Sequence, residues 1–183
     1  CDVNRGEKAD ELDSLTIVKY EQKAIHAYNK AYNKDNKLGL AAYNAGLLYY
    51  NDFVKYDDMF SNNRRELQKL NSNKPVIKDP KKKAAADAEF KKQTDAIKNA
   101  NAALEKPMMT AIDNSIEWLE KAFNTLKEGD LTDKTTKNCL KNSVKWLANS
   151  YAYKRDKVRG KDTKAFDEYE AKYNKYDALY DKY

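Results

Sequence analysis

The feature that most limits what this chain can fold into is a three- and four-residue rhythm of apolar side chains. Ile17, Tyr20, Ala24, Tyr28 and Ala31 keep it near the start, and Ile112, Ile116, Leu119, Phe123 and Leu126 keep it again later. Leu140, Val144, Leu147 and Tyr151 follow, and then Phe166, Tyr169, Tyr173, Tyr176 and Tyr180. Such spacing gathers apolar groups on one side of an α-helix. Only five glycines and three prolines interrupt 183 residues, and β-branched residues are scarce, so long helices are expected. Hydrophobic residues make up 41% of the chain and charged ones 35%, which is polar yet enough to bury a core. No apolar run approaches the roughly 20 residues that a membrane span needs.

Punctuation places the ends of these helices. The opening "CDVNRGEKAD" suits a short flexible segment, residues 1–11, ahead of a single helical domain over 12–183. A first helix is predicted from about Leu12 to Tyr32, stopped by "NKDNKLG", and a second from Gly39 or Leu40 to about Leu70, stopped by "NSNKPVIKDP". Pro75 and Pro80 disfavour helix in the residue before each. A third helix begins near Lys81; Pro107 either kinks it or restarts it, giving five helices or six. "EGDLTD" turns the chain, with Thr132 or Asp133 available to cap a helix from about Lys134 to Arg155. A last helix follows "RDKVRGKDT". Short connections make neighbouring helices antiparallel.

A net charge of +6 invites a nucleic-acid reading, but 30 of the 35 cations are lysine, and the guanidinium fork favoured for base and phosphate recognition is rare. Lysines scattered among 29 carboxylates read as a solvated helical surface instead. Cys1 and Cys139 have no metal-ligand spacing and no CxxC; a disulfide between them is open. A chain that starts on cysteine looks like a lipoprotein after signal-peptide removal, with Cys1 as the lipid attachment site; the alternative is a chain that merely starts there. His26 is the only histidine and has no Asp, Ser or Cys at a spacing that would make a catalytic set, and no glycine-rich phosphate loop is present. No catalytic, cofactor or metal site is expected.

One glycine breaks the helical logic. "LAAYNAGLLYYND" sets Gly46 inside a strong helix, where it costs about 1 kcal/mol relative to alanine. Ala24, Tyr28 and Ala31 put two small residues and one aromatic on one face of the preceding helix, and Gly46 follows Ala24 by 22 residues, with Tyr49 three further on. In these residues the chain resembles the tetratricopeptide repeat (TPR), a helix–turn–helix unit whose first helix carries a small residue and then tyrosine, and whose second carries alanine, aromatic, alanine. Gly46 is then a contact point between helices. Ser115, Leu119 and Ala122 repeat the second-helix pattern, and Ala148 and Tyr151 the first, although the 33 residues from Ser115 to Ala148 exceed the period by 11. The elongated second helix, the charged linker and "SIEWLEKAFNT" are similar to a group of extracytoplasmic bacterial TPR proteins with one long hairpin, and "AFDEYEAKYNKYDAL" is like the helix that closes those arrays.

The resemblance implies an all-α, short right-handed array of antiparallel TPR-like hairpins. It also implies a non-catalytic scaffold of the cell envelope that binds another protein or peptide through the first helices of its hairpins. Asn44, Leu47, Tyr50 and Asn51 on one such helix, and Lys145, Asn149 and Tyr153 on the other, are the expected contributors. The cytoplasm is an open alternative location. Two other functions compete: a glycan-binding accessory protein, which would need Trp118 and Trp146 exposed, and an enzyme of an unrecognised helical class, which would need clustered polar residues in a pocket; a structural subunit of a larger envelope complex is a variant of the scaffold reading. Both tryptophans read most simply as core anchors facing each other across a hairpin.

Overall fold

The computed structural model describes residues 14–183. The described residues form five helices and no strand: α1 Ser14–Lys34, α2 Gly39–Ser72, α3 Pro80–Leu126, α4 Lys134–Val158 and α5 Thr163–Tyr180. The all-α expectation holds, and Pro107 lies inside a continuous α3. Cys1, and with it both the lipid-attachment and the disulfide expectations, lies outside the described residues; Cys139 is a free thiol.

Local chemistry explains several of the boundaries. After α1, Asp35 Oδ1 accepts from Lys37 N–H, closing a turn that hands the chain to α2 at Gly39. Asp79 Oδ1 accepts from the N–H groups of Lys81 and Lys82, and Pro80, with no N–H to satisfy, takes the first helical position of α3. Asp133, rather than Thr132, caps α4 by accepting from Thr136 N–H. Between α4 and α5 the chain reverses at Gly160, whose φ of +73° is the left-handed conformation that ends a helix at low cost only in glycine. Asp162 then caps α5 by accepting from Ala165 N–H.

The described residues divide into two compact units, one made of residues 14–50 with Ile112–Tyr183 and the other of Asn51–Ala111. In the first, α2 and α3 run antiparallel: Gly39 lies against Leu126 and Gly46 against Leu119. A side chain on Gly46 would place its Cβ 2.7 Å from Leu119 Cγ and 3.0 Å from the Leu119 backbone nitrogen, and Ser115 Oγ donates to Gly46 O at 3.0 Å. The glycine therefore provides the close approach expected of a helix–helix contact point. Helices α3 and α4, then α4 and α5, are antiparallel in turn: Asp113 meets Lys154 while Glu120 meets Tyr151, and Lys141 meets Tyr180 while Arg155 meets Glu170. Contacts of Tyr50 with Trp146 set α2 beside α4, while Tyr32–Trp118 and Phe123–Tyr176 set α1 and α5 beside α3. Its core is built from Ala42, Ala45, Ile112, Leu119, Ala122, Leu140, Val144 and Leu147.

The second unit is the remainder of α2 and α3 with the loop joining them. Asn63 Nδ2 donates to Asn101 Oδ1 at 2.8 Å across the two helices. Leu67, Ile97 and Leu104 are only half-buried.

Candidate partner-binding face

Helix α2 turns Gly39, Ala42, Tyr43, Ala45, Gly46, Tyr50 and Phe53 inward, which is the three- and four-residue spacing of one helical face. The opposite side carries Leu40, which is exposed, and Asn44 and Leu47, which are half-buried. Asn51 is exposed and belongs to the second unit. On α4 the inward positions are Leu140, Ser143, Val144, Leu147, Ala148, Ser150 and Tyr151. Its outer side carries Lys145 and Asn149, both exposed, and Tyr153, half-buried.

Tyr50 differs from the other nominated residues. It is buried, its ring 4.6 Å from that of Trp146 at an interplanar angle of 37°, so it forms the seam between α2 and α4. Tyr43 is buried on the same inward face of α2, and burial pushes its phenol above the ordinary range, with Asn142 acting the other way. Lys145 Nζ lies 4.7 Å from the Trp146 ring and Lys157 Nζ 5.6 Å from the Tyr153 ring, so each outer aromatic sits under a cation. In the first unit the Tyr50–Trp146 contact is therefore an interior seam, and Asn44, Leu47, Lys145 and Asn149 lie on the outer sides of the two helices that it joins. Trp118 and Trp146 do not face each other: Trp118 pairs edge-on with Tyr32 at 5.6 Å and is buried, and Trp146 pairs with Tyr50.

A second cluster joins α3, α4 and α5. Glu120 Oε1 accepts from the Tyr151 and Tyr176 hydroxyls at 2.9 Å each and from Lys172 Nζ at 3.3 Å. Burial pushes the Glu120 carboxyl upward, but the two phenols and the Lys172 charge outweigh it and hold the group below its ordinary value. Burial, then the adjacent Glu120 charge, pushes both phenols up. None of the three groups changes protonation near neutrality, which suits a clasp and not an acid–base pair. Around it, the Tyr176 ring stacks on Tyr151 at 5.8 Å and meets Phe123 edge-on at 5.6 Å. Tyr151 and Tyr176 are 31 and 56 residues from Glu120, so no local spacing in the sequence points to the cluster.

Chemistry of other kinds finds few handles. Among the described residues no group of three His, Cys, Asp or Glu side chains is placed to hold a metal ion. The Cys139 thiol is pushed up by burial and by Asp133, which disfavours the reactive thiolate. His26 is exposed on α1. No described helix is long and apolar enough to cross a membrane. No protein-family model, curated protein or solved structure matches the chain.

Proposed function

We propose that this chain is a non-catalytic interaction module built on TPR-like hairpins, which holds another protein or peptide against the outer side of α2 and α4. One observation carries the reading. The approach of α2 to α3 at Gly46, with Leu119 and Ser115 packed against it, is the contact that the small-residue pattern of such repeats exists to allow. It brings the two first helices of successive hairpins side by side at Tyr50 and Trp146 and leaves Asn44, Leu47, Lys145, Asn149 and Tyr153 on the outer side. Asparagine and tyrosine suit an extended or helical peptide, offering hydrogen bonds and large contact area at low entropic cost. The cell envelope as its location, with Cys1 as a lipid anchor, is part of the same proposal and rests on the resemblance.

The glycan-binding alternative asks for a row of solvent-facing rings. Trp118 is 7% exposed, and Trp146 lies between Tyr50 and Lys145, so neither presents an open face of that kind.

Photocrosslinking residues placed in cells at Leu47 and at Asn149 test the reading. One stoichiometric protein crosslinked from both positions, and lost when Lys145 and Tyr153 are replaced by alanine, is the expected result. No protein from either position, with the purified chain retained on a polysaccharide column, would sink it.

A further inference from the structure

The formal charge of the chain is unevenly placed. Residues 61–92 hold ten of the 35 cationic side chains and four of the 29 anionic ones, which leaves 25 of each sign elsewhere. The whole net charge of +6 therefore resides in the end of α2, the start of α3 and the loop between them. That loop also carries Val76, 93% exposed, the most exposed large apolar side chain among the described residues. Lys78, Lys81, Lys82 and Lys83 around it are all exposed.

The loop is tied down in a way that leaves Val76 outward. Lys74 Nζ pairs with Asp87 at 2.9 Å and lies 4.7 Å from the Phe90 ring, strapping the loop to the second and third turns of α3. Pro75, Val76, Ile77 and Phe90 line a recess of about 420 Å³ there, which the Lys74 and Asp87 pair also lines. Asp79 is engaged in capping α3, so its charge is spent on backbone N–H groups. An exposed apolar tip ringed by lysines is the result.

We propose that this tip is a second contact surface of the protein, one that docks on an anionic phospholipid bilayer, with Val76 entering the interface and the lysines meeting the headgroups. Three observations favour a bilayer over an acidic protein. Val76 is 93% exposed, an apolar group free to enter a soft interface, and the shallow recess beside it already holds the Lys74 and Asp87 pair. The cations near the loop are lysines; the arginines of the segment, Arg64 and Arg65, lie further back on α2. Guanidinium geometry matters for bidentate recognition of single carboxylates or phosphates, but a diffuse anionic surface responds to charge number. Lys81, Lys82 and Lys83 are successive helical residues, about 100° apart around the axis, so they fan outward and match an area better than a strand. This contact is independent of the α2 and α4 face, and either can fail without the other.

Vesicle co-sedimentation of the full chain carrying Cys1→Ser, so that no acyl chain contributes, tests it. Binding to vesicles of phosphatidylglycerol and phosphatidylcholine, but not to phosphatidylcholine alone, is expected, together with release at high salt. Each lysine near the surface contributes about a fivefold factor, so Lys81→Gln, Lys82→Gln and Lys83→Gln together should weaken partitioning by about a hundredfold. Val76→Asp should weaken it several-fold with every lysine in place, and far-ultraviolet dichroism checks that these exposed changes leave the helices intact. Anionic-vesicle binding that ignores both variants would overturn the proposal, because the contact would lie elsewhere. So would failure to bind vesicles with retention on poly-glutamate or heparin, which would assign the tip to an acidic macromolecule.

Discussion

In the forty residues from Ile112 to Tyr151 fifteen are buried, while in the fifty-four from Val54 to Pro107 only Thr94 is. Both stretches are almost wholly helical, so helicity in this chain has two different supports. In the first unit it comes from apolar burial: large side chains such as Leu119, Leu140 and Leu147 are fully enclosed. In the second it comes from intrinsic preference, as in the alanine- and lysine-rich start of α3, with half-buried contacts and an asparagine pair between helices. Burial defines one arrangement of side chains sharply, whereas propensity specifies a helix without specifying its neighbour. The region with the well-packed core is also charge-balanced, and the net charge gathers where the core is absent.

The largest expected effect tests that contrast directly. Leu147→Ala empties a fully buried site and should cost about 2–5 kcal/mol in urea unfolding. Leu67→Ala, at a half-buried site of the second unit, should cost about 1 kcal/mol or less. Equal losses would break the comparison and require a hidden core in the second unit.

Next in size is the close approach at Gly46. Gly46→Ala gains about 1 kcal/mol of helix preference but forces a Cβ to within 3.0 Å of the Leu119 backbone, where a side-chain rotation gives no relief. A net loss of about 1–2 kcal/mol is expected. In the double variant Gly46→Ala with Leu119→Ala, the sum of the single losses should exceed the measured loss, because the side-chain part of the clash is gone. A stabilised Gly46→Ala protein would show that the two helices have room to spare.

Much of this was legible in the sequence, and what was not has a physical pattern. Helix ends were readable because they rest on local chemistry: Gly39, Pro80 and Asp133 each act within a few residues. Gly46 was readable because an unfavourable residue in a strong helix demands a reason. Tyr50, nominated as a binding residue, is buried; its spacing of four from Gly46 and three from Phe53 places it on the inward face, a signal that its neighbours Asn51 and Leu47 do not share. The Glu120 cluster was not readable, since three helices bring its members together. The charge of the α2–α3 tip can be counted from the sequence, but the exposure of Val76 beside it cannot.

The clasp at Glu120 yields a pH signature confined to the first unit. A carboxyl held below its ordinary value contributes stability that is present above about pH 4.3, the unfolded value, and is lost as pH falls through the lower folded one. The raised phenols of Tyr151 and Tyr176 act in the opposite sense. Their contribution is full below about pH 10 and declines as pH rises toward their folded values. Glu120→Gln should cost about 1–2 kcal/mol at neutral pH and flatten the acid limb of the stability profile; Tyr176→Phe should reduce the alkaline decline. An unchanged acid limb in Glu120→Gln would assign acid sensitivity to other carboxylates.

The smallest effect bears on what pairs the helices of the second unit. Asn63 and Asn101 form a part-buried amide hydrogen bond, and Asn63→Ala leaves Asn101 able to turn toward water. A loss of about 0.5–1.5 kcal/mol is expected, with early exchange of the backbone amides from 61 to 104 and little change in those from 112 to 151. Because Leu67, Ile97 and Leu104 are only half-buried, this one bond supplies direction that burial does not. If Asn63→Ala left exchange in the second unit untouched, half-buried leucine and isoleucine contacts would be enough to align α2 with α3, and the two units would differ in degree of burial but not in the kind of interaction that orders them.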